Sequence, residues 1–136
     1  MNIGADTWFL LLIAEGNNGA KSLLEQVVAG THELFISCLS IAEICSVLIQ
    51  KGIPGLADKL IKEIILLPSV HIINFDLNLA RESSRRKQAF GLSMMDAGII
   101  TTAILNKCHV FIATDSDYKN VTPNIIRIVK PDTITL

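Results

Sequence analysis

The chain has 136 residues, of which 50% are hydrophobic and 5% aromatic, and its formal net charge at pH 7 is -1. This length and composition predict a single domain over residues 1–136 with a core of aliphatic side chains. The near-neutral charge excludes a general polyanion binder, so any contact with nucleic acid must come from a local basic patch. The longest apolar run, residues 8–14, is too short to span a bilayer and follows no basic segment. We therefore expect a cytoplasmic protein with no membrane partner.

Short apolar strands alternate with helices along the chain. The apolar runs that have the length of buried parallel strands are residues 2–5, 34–36, 70–73, 110–113 and 125–129. The stretches with helical apolar spacing are residues 8–15, 21–29, 40–51, 56–67, 76–89 and 93–106. The alternation predicts an α/β fold, a three-layer α/β/α sandwich around a central, mainly parallel five-stranded sheet.

Four acidic residues stand at boundaries between these elements. Asp6 directly follows the first predicted strand, and Asp115 follows the fourth after Thr114. Glu43 and Asp96 lie in the first turns of the third and sixth predicted helices. In parallel α/β sheets, ligands bind outside the carboxyl ends of the strands, and the helices that follow strands begin at that same edge. We therefore expect the four carboxylates to converge.

Helix capping is the alternative explanation for each acid taken singly. Ser40 and Glu43 have the spacing of a capping box, as do Ser93 and Asp96, and such a cap contributes about 1 kcal/mol. The acids after the two strands could equally cap a helix or a turn. Stability alone does not require all four at one edge of the sheet, so the set as a whole favours a functional site.

A cluster of carboxylates is expected to bind a cation, because like charges that cannot separate either raise their pKa values or take up a counter-ion. Oxygen ligands without histidine or cysteine suit Mg²⁺ or Mn²⁺. Such an ion lowers the pKa of a bound water and neutralises charge on a phosphodiester, and two ions about 4 Å apart clamp the attacking and leaving oxygens. The acids therefore predict metal-assisted phosphodiester hydrolysis with one or two ions.

The segments around these acids resemble those of the PIN domain, specifically the small VapC-type toxins of prokaryotic toxin–antitoxin pairs. Four segments match in order and approximate spacing over essentially the whole chain: residues 5–7 (ADT), 39–44 (LSIAEI), 90–97 (FGLSMMDA) and 110–118 (VFIATDSDY). The chain departs from the family at Gly4, in a first strand shorter than usual, and at Tyr118, where phenylalanine is common. Neither departure is expected to touch the chemistry.

The resemblance implies a Mg²⁺- or Mn²⁺-dependent endoribonuclease. Its catalytic acids would be Asp6, Glu43, Asp96 and Asp115. Asp117 matches a further acid that the family often carries, and the implied metal ligands are therefore Asp6, Asp96, Asp115 and Asp117. The family also includes ribosomal-RNA processing factors, so the resemblance does not fix the RNA target.

The resemblance also implies supporting residues and partners. Thr7 and Thr114 would hydrogen-bond the carboxylates. The protein would form a homodimer, for which the apolar residues 10–13 and the helix over residues 56–67 are candidate surfaces. An antitoxin segment would lie across the active-site groove and hold the enzyme in check.

A group of basic residues precedes the sixth predicted helix: Arg81, Arg85, Arg86 and Lys87. One interpretation is a phosphate-binding rim, which RNA would need in order to approach four carboxylates. The alternative is a solvated helix side in which these residues pair with Glu82. The few aromatic residues make backbone contacts a better expectation than recognition by base stacking.

The sequence is compatible with two other functions. A phospho-receiver-like signalling module has similar length and architecture, with Thr114 at a strand end and Lys130 near the last strand. That class needs an acid pair after the first strand, whereas here Thr7 follows Asp6, and Asp76 would have to be the phosphoacceptor. A catalytically silent PIN-like RNA-binding domain is the third hypothesis, and the full acid set argues against it.

Overall fold

Five parallel strands form the central sheet in the computed structural model, which describes residues 1–114 and 116–133. The strands are β1 (Asn2–Ala5), β2 (Glu33–Ser37), β3 (Val70–Ile73), β4 (Val110–Ile112) and β5 (Arg127–Val129). Their order across the sheet is β3-β2-β1-β4-β5, so the chain builds outward from β1 in one direction and then in the other. This reversal places a topological switch point, the usual ligand site of such sheets, between β1 and β4.

Helices cover both faces of this sheet. They are α1 (Thr7–Ala14), α2 (Asn18–Val28), α3 (Cys38–Gln50), α4 (Pro54–Ile65), α5 (Leu77–Phe90) and α6 (Met94–Leu105), with a 3-10 helix over Pro131–Thr133. Alternate strand residues face opposite sides, so Ile3 and Ile36 pack with α1 to α4, while Phe35 and Phe111 pack with α6. The predicted α/β/α sandwich with a five-stranded sheet is confirmed, and every strand pairing within it is parallel.

The start of α3 differs from the prediction. Ser37 ends β2 and also caps α3, where its Oγ accepts a hydrogen bond from the backbone N–H of Leu39 at 3.1 Å. Ser40 is instead buried inside the helix, and its hydroxyl has no hydrogen-bond partner within the described residues. The capping-box interpretation of Ser40 and Glu43 is therefore wrong, because no loop separates β2 from α3 and the helix begins earlier.

Two glycines allow α6 to lie close to its neighbours. A Cβ placed on Gly4 of β1 would collide with the Cβ of Ala103 in α6, and it would lie 3.1 Å from the ring of Phe111. A Cβ on Gly98 of α6 would collide in the same way with the side chain of Leu39 in α3. The absence of side chains at these positions sets the depth at which α6 sits on the sheet.

The link between α5 and α6 is tight. Gly91 closes α5 in the left-handed conformation with φ 63°, which glycine adopts without steric cost.

Within residues 1–114 and 116–133, no single helix is long and apolar enough to cross a membrane, and α5 and α6 reach that length only as a pair bent by 112°.

Candidate active site

Four carboxylates line one cavity of about 280 Å³ beside the switch point of the sheet: those of Asp6, Glu43, Asp96 and Asp117. They come from four separate segments, namely the end of β1, the second turn of α3, the first turn of α6 and the loop after β4. The rest of the described wall is Thr7, Trp8, Leu11, Ile44 and Val47, so it contains no basic side chain. The expected convergence therefore occurs for the three predicted catalytic acids that the structure describes.

Asp6 is the most buried of these acids, with 6% of its surface exposed. Its backbone N–H donates to the carbonyl of Ile112 in β4 at 3.0 Å, and its Oδ1 accepts from the N–H of Phe9 at 3.4 Å as the N-cap of α1. Burial raises the pKa of Asp6 to about 7, and the charges of Asp117 and Asp96 add to the rise. With its pKa raised to about 7, the Asp6 carboxyl is partly protonated at neutral pH, and a cation beside it would favour its ionised form.

Asp96 lies in the first turn of α6, as the sequence predicted. Ser93 caps this helix, and its Oγ accepts a hydrogen bond from the backbone N–H of Asp96 at 3.1 Å. Burial raises the pKa of the Asp96 carboxyl, and the charges of Asp117 and Glu43 raise it further. The hydroxyls of Ser93 and Tyr118 act in the opposite direction. The start of α6 is therefore capped by Ser93 and also carries Asp96, one of the clustered acids.

The donor set suits Mg²⁺ or Mn²⁺, because the polar groups on the cavity wall are carboxylates and a hydroxyl. In the part of the chain that the structure describes, however, no group of three or more Asp, Glu, His or Cys side chains is arranged to hold a metal ion. Asp115, one of the predicted ligands, lies outside the described residues. The described acids are close enough to raise one another's pKa values, but no three of them are arranged as ligands of one ion.

The two threonines predicted to support the acids differ in their contacts. Thr114 donates a hydrogen bond from Oγ1 to Oδ2 of Asp117 at 2.9 Å, which orients that exposed carboxylate. Thr7 is buried beside Asp6, and its Oγ1 has no partner among residues 1–114 and 116–133.

Tyr118 was not expected to take part in the site. Its side chain is 1% exposed, and its ring lies edge-on to Phe111 with the centroids 5.1 Å apart. Its hydroxyl is close enough to Asp96 to affect the pKa of that carboxyl, although the pair does not reach ordinary hydrogen-bond geometry. The only signal in the sequence was a tyrosine at a position where the family commonly has phenylalanine.

The basic residues of α5 lie apart from the cavity wall. Arg85 and Arg86 share one partner, since Nη1 of each contacts a carboxylate oxygen of Glu82, at 3.0 Å and 3.2 Å. The alternative of pairing with Glu82 therefore holds for these two residues. The two guanidinium groups still exceed the single carboxylate by one positive charge.

Asp76, which a receiver-type phosphoacceptor would require, does not line the acidic cavity. It caps α5, and its Oδ1 accepts a hydrogen bond from the backbone N–H of Leu79 at 2.8 Å. This placement argues against the receiver hypothesis.

The family model of the PIN domain matches residues 5–122, and the chain therefore belongs to the PIN domain family. The resemblance to the PIN domain is confirmed at the level of the family, and the fold is shared with solved VapBC structures. No curated protein matches the chain in sequence.

Solved toxin–antitoxin structures share this fold. A toxin–antitoxin complex from Klebsiella pneumoniae matches with 21% identity and a TM-score of 0.67, over 96% of this chain and 98% of that chain. VapBC2 from Rickettsia felis, bound to a DNA fragment from its promoter, matches with 15% identity and a TM-score of 0.73, again over 96% and 98%. FitAB bound to an IR36 DNA fragment matches with 16% identity and a TM-score of 0.70, over 100% and 99%.

Proposed function

We propose that the protein is a divalent-metal-dependent endoribonuclease and the toxin of a toxin–antitoxin pair. The observation that carries this proposal is the meeting of Asp6, Glu43, Asp96 and Asp117 at one cavity with no basic residue in its described wall. Membership of the PIN domain family and the likeness to solved toxin–antitoxin complexes support it.

Asp6, Asp96 and Asp115 would hold the metal, with Asp117 beside them. A bound Mg²⁺ or Mn²⁺ would supply charge neutralisation at the scissile phosphate and a water of lowered pKa. The chain's own contribution is to fix the acids on rigid elements, since Asp6 is tied to β4 and Asp96 to a capped helix start. Glu43, half-buried on α3, adds negative charge to the same wall.

RNA would be held mainly through its phosphates, because the chain has few aromatic residues and a local excess of positive charge on α5. In this proposal Arg81, Arg85, Arg86 and Lys87 attract the backbone towards the acidic cavity. Repulsion between the phosphates and the acids is removed only when the cation is in place. Metal and RNA binding are therefore expected to be coupled.

The antitoxin and a second copy of the chain are the proposed protein partners. Of the two predicted dimer surfaces, residues 10–13 are only partly accessible to a partner, because Leu10 is fully buried in the core. The helix over residues 56–67 exposes more apolar area at its carboxyl end, where Ile65 and Leu66 are 55% and 79% exposed. Ile49 near the end of α3 is also exposed, so both ends of the α3–α4 pair carry exposed apolar side chains that a partner would cover.

The function is tested by incubating purified protein with a structured RNA transcript in Mg²⁺, Mn²⁺ or EDTA. We expect metal-dependent cleavage that leaves 5′-phosphate ends and that is lost in Asp96→Asn. Asp76→Asn is the matched control, because it removes a carboxylate from a helix cap outside the cavity. Absence of cleavage by the folded wild-type protein in either metal, over a panel of RNAs, would refute the nuclease. Equal cleavage by Asp96→Asn would show that the activity does not come from this site.

A further inference from the structure

A second cavity, of about 320 Å³, adjoins the acidic cavity at the side chain of Trp8, which lines both. Leu11, three residues further along α1, lines the acidic cavity with Trp8, and Leu12, four residues further, lines the second cavity with it. Residues at these spacings are neighbours on a helix surface, so the half-buried indole lies on α1 between the two cavities. A group bound in the second cavity would therefore lie next to the proposed cleavage site.

The start of α2 and the 3-10 helix form the other walls of the second cavity. Asn17 caps α2, and its Oδ1 accepts a hydrogen bond from the backbone N–H of Ala20 at 3.0 Å, which leaves its NH₂ group to donate elsewhere. Asn18 is exposed beside it. A Cβ placed on Gly19 would lie 3.4 Å from the Cβ of Asp132, so the two walls meet closely there. The cavity thus combines a flat aromatic surface with side-chain amides.

The two cavities differ in charge. Four carboxylates and no basic side chain line the described wall of the acidic cavity, whereas the charged side chains in that of the second are Lys130 and Asp132, one of each sign. A phosphate gains no net attraction from a wall of this kind, and an uncharged planar ring loses nothing there. Such a ring can stack on the indole while the amides of Asn17 and Asn18 meet its edge. The volume lies at the lower end of the range of about 300–1,000 Å³ that is usual for small-molecule sites.

The second cavity and the basic residues of α5 lie on opposite sides of the acids. Asp6 directly precedes α1, which packs with α2, and Asp96 lies at the start of α6, which packs with α5. A strand of RNA whose phosphates are attracted at α5 would therefore pass the acids before it reached Trp8. The second cavity would receive a nucleotide next to the phosphate that is cleaved.

We propose that the second cavity is a base-binding subsite, in which one unpaired nucleobase of the RNA stacks on Trp8. The inference deepens the proposed nuclease function and rests on it for its place in catalysis. The amides of Asn17 and Asn18 contact the edge of the base and give a preference for its identity. A base inside a duplex is already stacked and paired, so the subsite directs cleavage to single-stranded segments, loops and bulges.

Base binding is measured by NMR on ¹⁵N-labelled protein in EDTA, which separates it from metal binding and cleavage. The probes are adenosine, guanosine, cytidine and uridine, and ribose 5-phosphate is the control probe. Trp8 is the only tryptophan, so the protein gives one indole N–H signal. We expect at least one nucleoside to shift that signal together with the backbone N–H signals of Gly19 and Ala20, and ribose 5-phosphate to shift none of them.

Three variants locate the binding. Trp8→Leu should abolish the nucleoside-dependent shifts at Gly19 and Ala20, whereas Asp96→Asn, which changes the acidic cavity alone, should retain them. Asn18→Ala changes an exposed side chain and tests the subsite without disturbing the core, and it should weaken binding of the preferred nucleoside several-fold. Full binding in both Trp8→Leu and Asn18→Ala would overturn the subsite.

Cleavage kinetics test the place of the subsite in catalysis. Trp8→Leu should raise KM for RNA roughly tenfold, the factor expected for the loss of one stacked base. RNA made abasic at the nucleotide flanking the cleavage site should show the same rise with the wild-type protein, and Trp8→Leu should raise KM of that RNA no further. A further rise of equal size on the abasic RNA would show that Trp8 does not bind this base.

The outcomes separate the subsite from the function on which it rests. Absence of a shift with all four nucleosides, or an equal shift with ribose 5-phosphate, would overturn the base-binding subsite and leave the nuclease standing. Nucleoside binding by a wild-type protein that cleaves no RNA would support the subsite and refute the nuclease.

Discussion

The backbone N–H of Phe9 donates to the carboxylate of Asp6 at 3.4 Å, so one buried acid is both the cap of α1 and a wall of the acidic cavity. The cap favours the ionised form, whereas burial and the neighbouring acids oppose it, and the net result is a pKa of about 7. The ordinary value is 3.8. Asp6 thus stabilises the helix and destabilises the metal-free fold at the same time.

The first prediction is that Asp6→Asn stabilises the metal-free protein at high pH. The carboxyl binds its proton more tightly in the folded protein than in the unfolded chain. Its ionisation therefore costs no stability below about pH 3.8 and destabilises the fold increasingly up to about pH 7. Asparagine also caps helices but carries no charge. At pH 8 in EDTA the variant should gain on the order of 2–4 kcal/mol, at about 1.4 kcal/mol per pKa unit. Denaturant melts at pH 8 and pH 4.5 measure the difference.

The pH dependence is the deciding observation for Asp6. The gain should shrink towards zero at pH 4.5, where the wild-type carboxyl is protonated in the folded state. Asp76→Asn changes an exposed helix cap and serves as the control for substitution of a capping aspartate. An equal gain at both pH values would mean that charge on Asp6 is not its cause.

The second prediction uses Trp8, the only tryptophan in the chain, which lines the acidic cavity. Paramagnetic Mn²⁺ bound beside Asp6 and Asp96 should quench its fluorescence, whereas diamagnetic Mg²⁺ should not. Quenching should be stronger at pH 8 than at pH 6, because Asp6 must lose its proton to bind the ion. Asp96→Asn should shift the titration to much higher Mn²⁺ concentration, and an unshifted titration would place the ion elsewhere.

The sheet and most helices could be predicted from the sequence, because short apolar strands and amphipathic helices have distinct periods. The positions of Asp6 and Asp96 followed from those boundaries. The start of α3 was missed because Ser37 belongs to both β2 and the cap, which no pattern in the sequence separates. The fifth strand was predicted two residues too long, since Ile125 is exposed and lies in a turn before Arg127–Val129.

The role of individual side chains at the site was harder to predict. The position of Tyr118 in the sequence does not indicate the orientation of its ring, because that orientation depends on the packing of the ring against Phe111. The sequence showed Gly4 only as a departure from the family pattern, whereas in the structure its missing side chain makes room for Ala103. The contact between Gly4 and Ala103 joins residues that are far apart in the chain, so no local sequence pattern indicates it.

The third prediction is that Gly4→Ala destabilises the fold. Its methyl group would overlap Ala103 and crowd Phe111, and overpacking of this kind costs roughly 1–3 kcal/mol. Gly55→Ala is the control, because nothing lies within 4 Å of a Cβ at that position, in the first turn of α4. In a double-mutant cycle, Ala103→Gly should recover part of the loss caused by Gly4→Ala. Strictly additive losses in the free energy of unfolding would show that the two residues are not in steric conflict.

The fourth prediction concerns the two arginines that share Glu82. The Arg85 side chain is 68% exposed, whereas that of Arg86 is 22% exposed, so Arg85 is the residue that an RNA phosphate can reach. Exposed ion pairs contribute only about 0–1 kcal/mol, so Arg85 can exchange its carboxylate partner for a phosphate at little cost to the fold. Arg85→Ala should raise KM for RNA several-fold, leave kcat unchanged and reduce the slope of log affinity against log salt by about 1.

Lys62→Ala is the matched control for this effect, because it removes one exposed positive charge from α4 on the other face of the sheet. If net charge alone attracts RNA, both variants should weaken binding equally. If α5 guides the substrate, only Arg85→Ala should change the salt slope. Glu82→Gln separates the two roles of the pair further: it releases both guanidinium groups and should tighten RNA binding when Arg85 contacts phosphate. No change in Glu82→Gln together with no change in Arg85→Ala would remove α5 from the RNA-binding surface.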